Sequence, residues 1–247
     1  MAAFVLIHGG LHGGWCWERV VPLLRAAGHD VEAIDLPGAD RRMPAAGVTF
    51  ESYVAATVAA AERAGEPVIL VGHSLGGRSI SAAAEARPER VRALVYVAAV
   101  LPSPDMRDTL PVADDNIIAN GFFPVDGGDS VMLEEGPARA GFYSDCSGED
   151  AKAAFARLVP QPVRAMTAPV HLSHERWGSV PRYYVFTSED RTIPLEFQRQ
   201  MEQISPCVRT FELHSGHSPF YTHPRELADI LNAIAGQPAS ISKEPKA

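Results

Sequence analysis

The chain has 247 residues, with 22 Lys+Arg against 30 Asp+Glu, a formal net charge of −8 spread along the sequence without a basic run. That balance argues against nucleic acid or an anionic membrane as its main partner. Hydrophobic residues at 46% and charged ones at 21% are ordinary for a soluble protein that buries a large core, and the length suits one domain with an insertion, not two large domains. Cys16, Cys146 and Cys207 are odd in number and far apart, with neither zinc spacing nor a disulfide framework, so a reducing compartment is expected. The first residues show no basic leader and no apolar stretch long enough to span a bilayer. A cytoplasmic location is expected.

Phe4-Val5-Leu6-Ile7 is apolar on every residue and predicts a strand covered on both faces, running into His8-Gly9-Gly10-Leu11-His12-Gly13-Gly14. Trp17, Val20, Val21 and Leu24 then recur at helical spacing, and Gly28 closes that helix. Asp30 to Asp35 predicts a second strand, stopped by Pro37-Gly38; Phe50, Tyr53, Val54, Thr57, Val58 and Ala61 mark the next helix, ended by Gly65. A third strand from Val68 leads into Gly72-His73-Ser74-Leu75-Gly76-Gly77 and an Ala-rich helix, followed by a strand over Val91 to Ala98. Alternation of this kind builds a mainly parallel sheet with helices on both faces.

The pattern breaks after Leu101-Pro102. From there to Val180 the chain is rich in Gly, Pro and Asp, its clearest helix being Ala151 to Leu158 behind the capping-box sequence Ser147-Gly148-Glu149-Asp150. A connection of that length points to a lid over a site. Alternation resumes with a strand at Tyr183 to Phe186, a helix near Leu195 to Ile204, a strand over Val208 to Leu213 and a last helix opening at Pro224. The expected division is therefore a core of residues 1–101 and 181–236, a lid of 102–180, and a polar, frayed tail of 237–247.

G-x-S-x-G at the end of a buried strand reads as a nucleophile elbow. Ser74 sits on a turn so tight that Gly72 and Gly76 have no room for a Cβ, and the turn aims the first amides of the next helix at whatever Ser74 attacks. A serine hydroxyl needs a base, and the base needs a group that fixes its tautomer. Catalytic groups on such a sheet belong at the C-terminal ends of strands. That rule selects His217, with Gly216 permitting the turn, over His214, which lies closer to the strand end and is expected to be packed. The acid is expected at Asp190, with Glu189 as its near competitor and Asp105, after an earlier strand, as a weaker one. Oxyanion donors are expected from the N–H groups of Leu75 and Gly10. His8 and His12 stand four apart on a Gly-rich loop, which does not give helical metal-ligand geometry, so a structural role for His8 is expected and no metal. The loop also lacks the G-x-G-x-x-G spacing of a nicotinamide site. No cofactor is expected.

Phe4 to Trp17, with its His8-Gly9-Gly10-Leu11-His12-Gly13-Gly14 core, resembles the opening of the α/β-hydrolase subgroup that contains plant methylesterases, bacterial pyrethroid-hydrolase-like esterases and plant hydroxynitrile lyases. Gly72 to Gly77 is similar to its elbow, Thr187 to Gln198 to its acid segment, and Gly216-His217 to its histidine segment. The likeness covers both ends of the sheet and, inside the lid, only Gly141 to Cys146. It implies the same Ser74, His217 and Asp190 and the same amides. Two departures bear on the reaction. The lyases carry threonine where this chain has Gly9 and lysine where it has Ser218, groups that hold a cyanohydrin hydroxyl and the leaving cyanide; the esterases often have methionine at the latter position.

The expectation is a single α/β-hydrolase fold acting without a cofactor as a serine esterase on a small carboxylic ester, through an acyl-enzyme. Gly9, Phe122, Phe123, Phe142, Tyr143 and Ser218 are the candidate pocket residues. Neither nucleic acid nor membrane is an expected partner, and a homodimer is left open. The alternatives are a hydroxynitrile-lyase-like or other non-hydrolytic reaction on the same triad, and a small-molecule receptor of the same fold. A receptor that abandoned catalysis commonly loses a triad member, whereas all three candidates stand here.

Overall fold

A computed structural model describes residues 1–40, 43–105 and 117–237. Strands β1 (Ala3–Ile7), β2 (Asp30–Ile34), β3 (Val68–His73) and β4 (Val91–Val97) alternate with helices α1 (Val21–Ala26), α2 (Phe50–Arg63) and α3 (Gly76–Ala86). The segment that follows holds β5 (Phe122–Val125), β6 (Ser130–Leu133), α4 (Glu135–Gly141), α5 (Gly148–Phe155), β7 (Gln161–Pro162) and α6 (Val163–Thr167). The chain ends with β8 (Arg182–Thr187), α7 (Leu195–Ile204), β9 (Arg209–Leu213), α8 (Pro219–Thr222) and α9 (Pro224–Ala235).

Six strands form one sheet in the order β2-β1-β3-β4-β8-β9, each pair parallel. Every residue of β1 and of β3 is buried, because helices cover both faces of the sheet. The strand's two-residue period divides the core accordingly. Phe4 and Leu6 join Trp17, Leu24, Leu227, Leu231 and Ile234 on the face under α1 and α9. Ala3, Val5 and Ile7 join Phe50, Tyr53, Ala61 and Ile80 on the face under α2 and α3. The parallel sheet with helices on both faces expected from the alternation is the one observed.

Three local expectations change. The predicted helix at Trp17 splits into a 3₁₀ turn at Gly14–Trp17 and α1, because Pro22 lacks an N–H and is tolerated only in a helix's first turn; Gly28, at φ 86°, still ends it. The helix expected from Ala151 begins at Gly148, since the Ser147 hydroxyl accepts the Asp150 N–H at 3.0 Å and so starts the helix there. The Gly-, Pro- and Asp-rich stretch, in which a helix is the clearest element expected, also holds a second, antiparallel sheet of order β5-β6-β7. Its strands, of two to four residues, are too short to show an alternating pattern. The proposed frayed tail, from residue 238 onward, lies outside the described residues.

Candidate active site

Ser74 follows β3 directly and has φ 50°, a left-handed conformation that non-glycine residues seldom adopt. Close packing holds it there. A Cβ on Gly72 would lie 2.8 Å from the carbonyl oxygen of Gly76, one on Gly76 would lie 2.6 Å from that of His8, and one on Gly77 would overlap the Val100 carbonyl. The Ser74 carbonyl accepts the N–H groups of Gly77 (3.1 Å) and Val100 (3.0 Å). The hydroxyl is thereby raised at the C-terminal edge of the sheet, where the N-terminus of α3 adds the positive end of its dipole.

Two neighbouring strand ends bring the partners. Backbone bonds from Ser188 N–H to the Leu213 carbonyl and from Glu189 N–H to the Ser215 carbonyl, both 3.0 Å, zip the loops after β8 and β9 together. Across that seam His217 Nδ1 donates to Asp190 Oδ2 at 2.8 Å, and Ser74 Oγ donates to His217 Nε2 at 3.0 Å. Both the His217 and Asp190 side chains are buried. Glu189 and Asp105 are instead 58% and 67% exposed. His214, expected to be packed, is 84% exposed beside Glu189; the turn that draws Ser215 inward leaves the preceding side chain in solvent.

Gly10 and Leu75 lie on opposite loops at the same edge. A Cβ on Gly10 would touch the Leu75 side chain at 3.5 Å, and neither residue's N–H has an acceptor among the described residues. His8 and His12 serve the loop that carries Gly10. His8 Nδ1 donates to the Gly9 carbonyl and His12 Nδ1 to the Gly10 carbonyl, both at 2.8 Å, while their Nε2 atoms accept from Leu36 N–H and Tyr143 Oη. Each ring is thus a neutral tautomer with both nitrogens used. Burial lowers the pKa of His8 and pushes that of His12 down to about 3. His73, between Ser74 and the His217 loop, donates from Nε2 to the His217 carbonyl at 2.7 Å. Burial, and then the neighbouring His217, hold His73 well below the usual histidine range.

Of the candidate pocket residues, Gly9 packs against the elbow: a Cβ there would lie 2.8 Å from Ser74 Cβ and 3.0 Å from His73 Nδ1. Phe142 stacks on the His217 ring, with centroids 5.6 Å apart. Tyr143 is buried behind His12, and Phe122 packs on the cluster that contains Phe142 and Tyr143. Ser218 is fully buried, its hydroxyl without a partner among the described residues. Phe123 is not brought to the site; it is 40% exposed, because successive residues of β5 face opposite ways.

Sequence reasoning missed the residues that hold this geometry. Gln198 on α7 is fully buried and donates to the Asp190 carboxylate (3.4 Å), the Ile193 carbonyl (2.7 Å) and Thr187. Asp145 Oδ2, from the segment between β4 and β8, accepts the Gly216 N–H at 2.7 Å and the Ser215 hydroxyl at 3.3 Å. Neither has a local signature, although Gln198 stands within the acid segment that resembles the family's.

Residues 4–230 match the model of the alpha/beta hydrolase family. The chain belongs to that family. Among relatives of this alpha/beta hydrolase, Esterase PIR7B of Oryza sativa subsp. japonica is 36% identical, covering 95% of this chain and 96% of the relative. The Alpha-hydroxynitrile lyase of Arabidopsis thaliana is 32% identical, with 94% and 96% covered. The crystal structure of a pyrethroid hydrolase from Sphingobium faniae JZ-2 superposes with a TM-score of 0.86 at 31% identity, covering 96% of this chain and 98% of that one. The likeness therefore runs through the segment between β4 and β8, further than the motifs alone reached. No helix among the described residues is long and apolar enough to cross a membrane.

Proposed function

We propose that this alpha/beta hydrolase is a serine esterase that cleaves small carboxylic esters through an acyl-enzyme. The observation that carries the reading is the unbroken relay from Asp190 Oδ2 through His217 to Ser74 Oγ, 2.8 and 3.0 Å, beside the Gly10 and Leu75 amides, which have no acceptor among the described residues. As Ser74 Oγ bonds to the ester carbonyl carbon, its proton passes to His217 Nε2 and Asp190 supports the imidazolium. The carbonyl oxygen becomes an oxyanion held by the N–H groups of Gly10 and Leu75; one such donor contributes on the order of 10²–10³ in rate. His217 then returns the proton to the alkoxide as the C–O bond breaks, and the alcohol leaves. Water repeats the sequence on the acyl-Ser74 and releases the acid. The described part of residues 102–180 acts as the lid, with Phe142 over the His217 ring.

A relative named as a hydroxynitrile lyase makes cyanohydrin cleavage the second reading. Its requirements are a hydroxyl donor and a cation beside the histidine. Here Gly9 has no side chain and no room for one, and Ser218 is neutral. A receptor role would leave the intact relay unexplained. The test is turnover of p-nitrophenyl acetate and butyrate beside mandelonitrile, with active-site labelling by a fluorophosphonate. Ester turnover lost in Ser74→Ala, together with a stoichiometric adduct on Ser74, is the expected result. Rapid mandelonitrile cleavage without ester turnover, or an adduct on another serine, would overturn it.

A further inference from the structure

The residue after the Gly10 donor is Leu11, which has φ 64°, a left-handed backbone disfavoured by its Cβ. Both its polar backbone groups bond to the segment between β4 and β8. Its carbonyl accepts the Val159 N–H at 2.8 Å, and its N–H donates to Gln161 Oε1 at 3.2 Å. Gln161 is buried and sits in β7 opposite Val131. Its Nε2 donates to Tyr53 Oη and to the Pro162 carbonyl, each at 3.2 Å. With both amide protons engaged, the side chain has one orientation that satisfies it, and that orientation turns Oε1 to Leu11. Oε1 also lies 3.4 Å from where a Cβ on Gly10 would stand. A single buried amide thus joins α2, the second sheet and the loop that aims the Gly10 N–H.

We propose that Gln161 is a positioning residue for the oxyanion site. It fixes Leu11 in its left-handed conformation, and through it the direction of the Gly10 N–H, without touching the substrate. The inference rests on the esterase reading above. It makes the site dependent on the second sheet: the lid segment supplies part of the donor geometry as well as a cover.

The test uses the full-length protein with p-nitrophenyl butyrate and a trifluoromethyl ketone of the same acyl length, which forms a hemiketal oxyanion on a serine. Gln161→Met keeps the size of the side chain and removes both its hydrogen-bond roles. The expected result is a fall in kcat of about 10- to 100-fold, smaller than deletion of a donor because the Gly10 N–H is misdirected, not removed. KM changes by less than about twofold, and ketone affinity falls in parallel with kcat, since only the oxyanion-bearing states use the misdirected donor. Gln161→Glu keeps an acceptor for Leu11 but adds an ionisable group beside the oxyanion. Its activity relative to wild type is expected to be highest at low pH and to fall as the carboxyl ionises. Should Gln161→Met fail to fold, this pH-dependent ratio carries the test alone. Wild-type kcat and ketone affinity in Gln161→Met, or a kcat loss with unchanged ketone affinity, or a Gln161→Glu ratio flat with pH, would overturn the positioning role. Ester turnover that Ser74→Ala abolishes establishes the esterase reading independently, so a negative result at Gln161 then strikes the positioning role alone. A wild-type protein inert to both esters and the ketone would overturn both.

Discussion

Asp190 presents to His217 the same carboxylate oxygen, Oδ2, that Thr187 Oγ1 and Gln198 Nε2 approach at 3.1 and 3.4 Å. Its other oxygen is fully engaged, accepting the N–H groups of Thr192 and Ile193 at 2.8 and 2.9 Å. The carboxylate therefore cannot rotate without breaking bonds to its own loop, and the imidazole faces a fixed acceptor.

Asp190→Asn presents either an amide N–H or a weaker acceptor to His217 Nδ1, and so favours the wrong tautomer. A loss in kcat on the order of 10³–10⁴ is expected. Glu189→Gln and Asp105→Asn change exposed side chains with no bond to His217; each is expected to cost less than about tenfold, far below the loss from the orienting acid. Steady-state kinetics on p-nitrophenyl butyrate check all three, and a crippled Asp105→Asn would place the acid elsewhere.

At Gly9 the expected effect is steric. A methyl there lies 2.8 Å from Ser74 Cβ and 3.0 Å from His73 Nδ1, and Ser74 is pinned by three backbone bonds. Gly9→Ala is expected to destabilise the fold by about 1–3 kcal/mol, as overpacking does, and to lower kcat for esters more than tenfold by moving the nucleophile. Gly9→Thr with Ser218→Lys is expected to lose ester turnover while mandelonitrile cleavage stays at the buffer rate, because the threonine has no space beside His73. Urea unfolding and both assays together check this.

The main sheet and the relay were legible because each rests on a local signal. Unbroken apolar runs such as Val68 to Val71 mark buried parallel strands, and strand ends carry Ser74, Asp190 and His217. What stayed hidden depends on contacts between distant residues. Nothing near Gln161 in the chain shows that its amide meets Leu11, 150 positions earlier. Gln198 looks like any polar helix residue until α7 turns it onto the Asp190 loop. His214 read as packed because it lies close to the end of β9, but the side it faces is set by the pairing of Glu189 with Ser215. The second sheet escaped notice because its strands are only two to four residues long, although Asp126-Gly127-Gly128-Asp129 between β5 and β6 has a turn composition.

Besides His217, three buried histidines around the site give stability a specific pH dependence. His8, His12 and His73 are all held below the usual histidine range by burial, and the first two use Nε2 as an acceptor that protonation would destroy. In the unfolded chain each gains a proton as the pH falls through about 6.5. The folded chain does not, so the unfolded state binds more protons and stability declines with falling pH. The decline begins near the unfolded value and continues, for His12, down to about 3. Each histidine contributes a slope of up to about 1.4 kcal/mol per pH unit inside its window, and the three act in the same direction. Urea unfolding between pH 7.5 and 5 is expected to show this, with little change from 7.5 to 7. His12→Gln removes one titrating group and is expected to reduce the slope by about one proton, so that its stability deficit against wild type narrows on acidification. An unfolding free energy that is level from pH 6.5 to 5, or a His12→Gln slope equal to that of wild type, would show that these rings take up protons in the folded state.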